Sequence, residues 1–208
     1  MMKLNSELRR QAADALAGNW GLAAIITLVY GALTSGVSTS AQYINPSIGI
    51  ISILLIPLHY GFAILFLDLL RGTKLDFGRL FDGYKDFGRI LGTGLLQGIY
   101  TMLWTLLLIV PGIIKSYSYA MTSFILKDHP ELQYDSAINK SMEMMSGYKM
   151  KLFLLDLSFI GWGILCCFTL GIGFLFLGPY MQASRAGFYE ELKKELYGDG
   201  EHIEVISE

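Results

Sequence analysis

Seven polar side chains interrupt or border the apolar runs of this 208-residue chain: His59, Asp68, Gln97, Lys115, Asp156, Gln182 and Arg185. In hydrocarbon such groups are costly, and they are retained where they bind or conduct something polar, or where they fix a helix end at the headgroups. Asp156 and Arg185 lie on consecutive apolar segments and can meet as an ion pair across a hairpin, with Asp68, Gln97 and Gln182 at similar depth. They serve equally well as anchors at a membrane boundary. His59 sits deeper, with Gln97 as a possible neighbour; it suits a proton relay, or a hydrogen bond to a backbone carbonyl freed by Pro57.

Catalysis of the soluble kind finds no support. His59, His129 and His202 are the only histidines, no HExxH or GxSxG occurs, and no glycine motif follows a strand to cradle phosphate. The adjacent pair Cys166 and Cys167 points about 100° apart on a helix, unsuited to a disulfide or a metal site. A non-enzyme without cofactor or metal is expected. A lipid-directed acid–base pair would have to combine His59 with Asp156, whose expected depths differ by over two helical turns.

Composition points to the solvent of these residues. Hydrophobic residues make up 53% and charged residues 16%, with a mean hydropathy of +0.46, against about one quarter charged in soluble domains. Several uncharged runs reach the roughly 18 residues a bilayer core demands. The expected partner is therefore the lipid bilayer; a net charge of −2 gives no reason to invoke nucleic acid. The opening "MMKLNSELRRQAADALAGNW" is too long and too acidic for a signal peptide, so the first apolar run is expected to be retained.

Arithmetic sets the number of crossings. The 37 residues from Ile90 to Leu126 would make a helix of about 55 Å, far longer than a hydrocarbon core of about 30 Å. Pro111-Gly112 is the strong breaker there, and "TLGIG" (169–173) plays that part between Leu152 and Phe188. Two tight hairpins give six spans: 20–37, 48–70, 90–110, 113–127, 152–168 and 172–189. Fifteen of the sixteen Lys and Arg then fall on one side, and the loop "SGVSTSAQYINPS" (35–47) opposite carries no charge. The positive-inside rule places both termini in the cytoplasm, although four spans would keep the same parity. The sixteenth cation, Lys115, is expected one turn below the outer surface, with its ammonium snorkelling to the headgroups, or held in a pocket by the hydroxyls of "SYSY".

Two cytoplasmic segments read as amphipathic helices along the inner interface. In "NSELRRQAADALAGNW", Asn5 or Ser6 caps, Leu8, Ala12, Ala15 and Leu16 share a face, and Gly18 stops the helix. In "HPELQYDSAINKSMEMMSGYK", Pro130 suits a first helical position, Leu132, Ala137, Ile138, Ser141 and Met145 line one side, and Gly147 stops it. Met142, Met144, Met145 and Met150 suit core packing or an adaptable partner surface. The two segments align under a shift of 129 residues, and the spans closing each unit align under a shift of 122, Asp68 on Glu190 and Arg71 on Lys193. A tandem repeat, 5–72 and 130–194, around an inserted hairpin at 90–127 is expected within a single integral membrane domain.

The runs "LWTLLLIVPGIIKSYSYAMTSFILKDHPEL", "AINKSMEMMSGYKMKLFLLDLSFIGWGIL" and "TLGIGFLFLGPYMQASRAGFYEEL", with the N-terminal "ALAGNW", closely resemble the bacterial integral membrane proteins grouped as domain of unknown function 975. The resemblance implies a multi-pass protein of the bacterial cytoplasmic membrane and brings no activity or site residue with it. The expected fold class is thus all-α, a polytopic helical membrane protein with about six transmembrane helices and two interfacial ones. Two functions stay open. One is a non-enzymatic scaffold or regulatory protein acting through its interfacial helices. The other is a small-molecule or ion transporter or channel subunit, as a homo-oligomer or with a membrane-protein partner, with a polar path in the inner half of the bundle.

Overall fold

The computed structural model describes residues 4–43, 52–169 and 171–198. Part of the uncharged loop, the start of the second apolar run, Leu170 of "TLGIG", Lys3 and His202 lie outside the described residues. Helix α1 (Asn5–Leu16) buries Leu8, Ala12 and Leu16, the apolar stripe of its sequence. Its start differs from expectation: the Glu7 carboxylate reaches back to the Leu4 amide at 2.8 Å, and neither Asn5 nor Ser6 caps. Gly18, at φ 80°, then turns the chain into α2 (Trp20–Tyr43).

Helix α3 (Ile56–Leu70) opens with proline in its first turn, where an amide proton would lack a partner anyway. It is the most enclosed helix, with every residue from Pro57 to Leu69 buried except His59. A short 3-10 helix (Phe77–Tyr84) folds back along it, so close that a Cβ on Gly61 would overlap the Leu80 carbonyl and one on Gly83 the Pro57 carbonyl. Its outer edge carries Phe77, Phe81 and Tyr84, each ring in contact with the next, and the row continues to Phe87.

Helix α4 (Phe87–Leu107) and α5 (Ile109–Ser118) form the first hairpin, but Pro111-Gly112 is not its turn. The chain reverses at Leu108, whose backbone is extended (φ −161°, ψ 140°), and Pro111 falls in the first turn of α5. Glycine follows because the two helices touch there: a Cβ on Gly112 would overlap the hydroxyl of Thr105. The fourth expected span, 113–127, is not one helix either. Turns at Tyr119–Met121 separate α5 from α6 (Thr122–Asp128).

Helix α7 (Asp135–Met144) begins five residues after Pro130, the expected first helical position, and Tyr134 before it has a positive φ of 50°. It buries Ala137, Ile138, Ser141 and Met144, and Gly147 at φ 80° ends the segment. Met144 and Met145 belong to the core, whereas Met150 is exposed. Helices α8 (Lys149–Leu157) and α9 (Ile160–Phe168) continue one another past a turn at Ser158–Phe159. The second hairpin turns where glycine-rich "TLGIG" stands, with Gly171 at φ 86°. Helix α10 (Phe174–Tyr197) returns for about 36 Å, packing on α1, α2 and α3.

The described chain is all-helical, and four segments are long and apolar enough to cross a membrane: Trp20–Val37, Ser52–Leu70, Phe87–Leu107 and Lys149–Phe168. Large apolar side chains stand exposed around both hairpin ends, among them Leu106, Leu107, Leu108, Ile109, Val110, Phe168 and Ile172. Water-soluble monomers rarely expose contiguous apolar surface on this scale.

Candidate functional site

The helices leave between them a cavity of about 1110 Å³. On α4 its wall runs from Ile90 to Leu106, about 24 Å of helix, through Thr93, Gly94, Gln97, Gly98, Thr101 and Thr105. These small or polar residues recur at helical spacing, one face of α4 reserved for the cavity while Ile99 and Leu103 face outward. The stripe is legible in "TGLLQGIYTMLWT" as a polar period of four, although single interruptions of apolar runs draw the eye away from it. Thr93 and Thr101 spend their hydroxyl protons on the carbonyls of Arg89 and Gln97, 2.8 and 2.9 Å away.

Asp156 and Arg185 meet in this cavity. Nε of Arg185 donates to Oδ1 at 3.1 Å and Nη2 to Oδ2 at 2.8 Å, a bidentate pair between α8 and α10. The Tyr117 hydroxyl donates to the same Oδ2 at 3.2 Å from α5. Sequence spacing alone does not disclose that third partner; Tyr117 and Tyr119 of "SYSY" line the cavity, and the preceding Lys115 does not.

His59 and Gln97 line the same cavity. The imidazole does not bond a carbonyl freed by Pro57: Nδ1 lies 2.8 Å from the hydroxyl of Tyr30 on α2, whose ring stacks on Phe62 at 4.2 Å. Asp156 and His59 thus share the cavity but hold different partners.

The remaining three predicted residues lie elsewhere. Lys115 finds its contacts within the protein, on α4 and α7. Its ammonium lies 5.0 Å from the Trp104 ring centre and 3.7 Å from the Met142 sulfur of α7. The aromatic face and the polarisable sulfur give the cation two attractive contacts inside the protein. Gln182 is half-buried on α10 and does not line the cavity. Asp68 pairs with Arg79 and, at 3.3 Å, with Lys127.

A second charge cluster stands at the same end of α3, centred on Asp128, which the sequence does not single out. Arg71 donates to both oxygens of Asp128, at 2.7 and 2.8 Å, Lys193 to one at 2.6 Å, and the Tyr189 hydroxyl at 3.0 Å. Arg71 also holds Glu190. Burial disfavours the Asp128 charge, but the hydrogen bonds and charges of Arg71 and Lys193 outweigh it and hold the carboxyl down to about 2. The lock ties together α3, α6 and α10 just below Leu126, which lines the cavity.

No curated protein and no solved structure matches the chain. A family model does, over residues 1–116 and 105–196, and its description is "Protein of unknown function (DUF975)". With nearly the whole length covered, the chain belongs to the DUF975 family of proteins of unknown function.

Proposed function

We propose that this protein binds a small polar molecule within the membrane and passes it along the cavity beside α4, as a transporter or channel subunit without enzymatic activity. One observation carries the reading: a cavity of about 1110 Å³, the scale of small-molecule sites, bordered along about 18 Å of α4 by the stripe Thr93, Gln97, Thr101 and Thr105 and containing a paired Asp156 and Arg185. The interfacial helices, on which a scaffold would rely, turn their apolar faces into the core.

In this reading the chain sits in the bacterial cytoplasmic membrane with both termini inside and the two hairpin ends outside. The bias of Lys and Arg supports that orientation. The six-segment count extends the four membrane-capable helices by α5 with α6 and by the first part of α10. We also retain the tandem repeat around an inserted hairpin, supported by Gly18 and Gly147 sharing a φ of 80° and by Arg71 and Lys193 converging on Asp128.

The test is water access. With Cys166 and Cys167 replaced by serine, single cysteines are placed at Gln97, Thr101 and, as a control on the outward face, Ile99. A charged, water-soluble thiol reagent is expected to modify the first two and spare the third. Equal protection of all three would end the reading.

A further inference from the structure

The segment between α3 and α4 does not leave the bundle. Gly72, at φ 83°, turns the chain at the end of α3, and the 3-10 helix then retraces that helix, bringing Leu80 to Gly61 and Gly83 to Pro57. Along α3 those two contacts lie about 14 and about 20 Å from Leu70, where the helix ends. The Tyr84 hydroxyl donates to the Leu54 carbonyl at 2.8 Å and holds the far end of the segment in place.

The two sides of this segment differ. Leu80 and Gly83 are buried against α3. On the other side Phe77, Phe81, Tyr84 and Phe87 are each 37–41% exposed, and their ring centres follow one another at 5.9, 6.3 and 6.3 Å. Positions three apart eclipse in a 3-10 helix, so Phe81 and Tyr84 share one edge.

Two features identify what covers the row. Both ends of the segment join membrane-capable stretches, Ser52–Leu70 and Phe87–Leu107, and the last ring of the row is the first residue of the second stretch. Because the chain folds back along α3, the rings are carried towards the bilayer. The charged side chains beside them are also neutralised in place: Arg79 holds Asp68, Lys85 holds Asp82 at 2.7 Å, and Arg89 holds Asp86. Rings that gain by leaving water, next to charges that are costly in hydrocarbon, have both needs met in the headgroup layer. A protein surface closing over the row would have to dehydrate Lys85 as well, whose side chain is 80% exposed; headgroups leave it solvated.

We propose that residues 73–86 form a re-entrant interfacial element whose aromatic row rests on lipid, among the headgroups of the bilayer that α4 enters. This contact goes beyond the cavity reading and does not depend on it. It fixes the depth at which α4 begins.

The test is the depth of spin labels on the full chain in phosphatidylcholine vesicles, with Cys166 and Cys167 replaced by serine. Nitroxides are attached to single cysteines at Phe77, Phe81 and Lys85, all exposed and so tolerant of a label, and at Ile99 on the outward face of α4. Their relaxation is compared in oxygen, which concentrates in lipid, and in a nickel chelate, which stays in water. The ratio of the oxygen effect to the chelate effect is expected above one at Phe77, Phe81 and Ile99 and below one at Lys85. A ratio below one at Phe77 and Phe81 overturns the proposal; if Ile99 stays above one, α4 still lies in lipid and the interfacial row alone fails. Weak relaxation by both reagents at Phe77 and Phe81 would mean that protein covers the row, a second copy if the labels broaden one another, and overturns it equally.

Discussion

Arg185 grips Asp156 through two parallel bonds, Nε to Oδ1 and Nη2 to Oδ2, across 29 residues of sequence. Removing one partner strands the other. Asp156→Asn should lower stability by about 1–3 kcal/mol, less than a fully buried pair because Arg185 is partly exposed. The double variant Asp156→Asn/Arg185→Gln should recover most of it. Thermal unfolding in detergent, followed by size-exclusion chromatography, checks this; no recovery in the double variant would mean that the pair is not a unit.

Asp128 gives a pH signature. Its folded pKa of about 2 lies below the 3.8 of an unperturbed aspartate, so its contribution is fully present above the higher figure and fades as pH falls towards the lower. The difference amounts to about 2 kcal/mol. Asp128→Asn should destabilise the protein at neutral pH and flatten its acid unfolding between pH 4 and pH 2. An unchanged acid profile in this variant would assign that sensitivity to other carboxylates.

Glycine at the 3-10 contact is a packing requirement. Gly61→Ala would drive its methyl into the Leu80 carbonyl, and backbone cannot yield as a side chain tip does. A loss of about 1–3 kcal/mol is expected. In Gly163→Ala the new methyl meets open space inside α9, and the substitution should be neutral or gain up to about 1 kcal/mol. Midpoint temperatures of the two variants, measured side by side, decide it.

The hairpins can be located from outside. On intact cells, single cysteines at Leu108 and Gly171 should react with an impermeant maleimide, while Gly112, packed against Thr105, should stay protected. Labelling at Gly112 but not Leu108 would put the turn back at Pro111-Gly112.

Much of the helical plan was legible because hydrophobic length and glycine placement are local. Leu8, Ala12 and Leu16 announced the buried face of α1, and Gly18, Gly147 and Gly171 marked its stop and two later turns. What sequence could not show was contact at long range. Pro111 looks like a turn because proline breaks helices, yet the first turn of a helix needs no amide donor at that place. Of the site, Asp156 and Arg185 could be paired by hairpin geometry. Tyr30, Tyr117 and the Asp128 lock depend on which helices become neighbours, and nothing in their own surroundings signals it.

The enclosure of α3 sets an order of assembly. Ile56–Leu70 is apolar enough to leave a translocation channel for the lipid as soon as it is made, but α10, which packs against it, begins at Phe174, more than one hundred residues later. At about 5–20 residues per second, α3 waits several seconds for that wall. Through this interval Glu190 and Lys193, which complete the lock around Arg71 and Asp128, do not yet exist. A nascent chain cut short before α10 would hold α3 half-dressed in lipid, with Arg71 lacking Glu190 and the apolar side that α10 covers open to the proteases and chaperones that police membrane insertion.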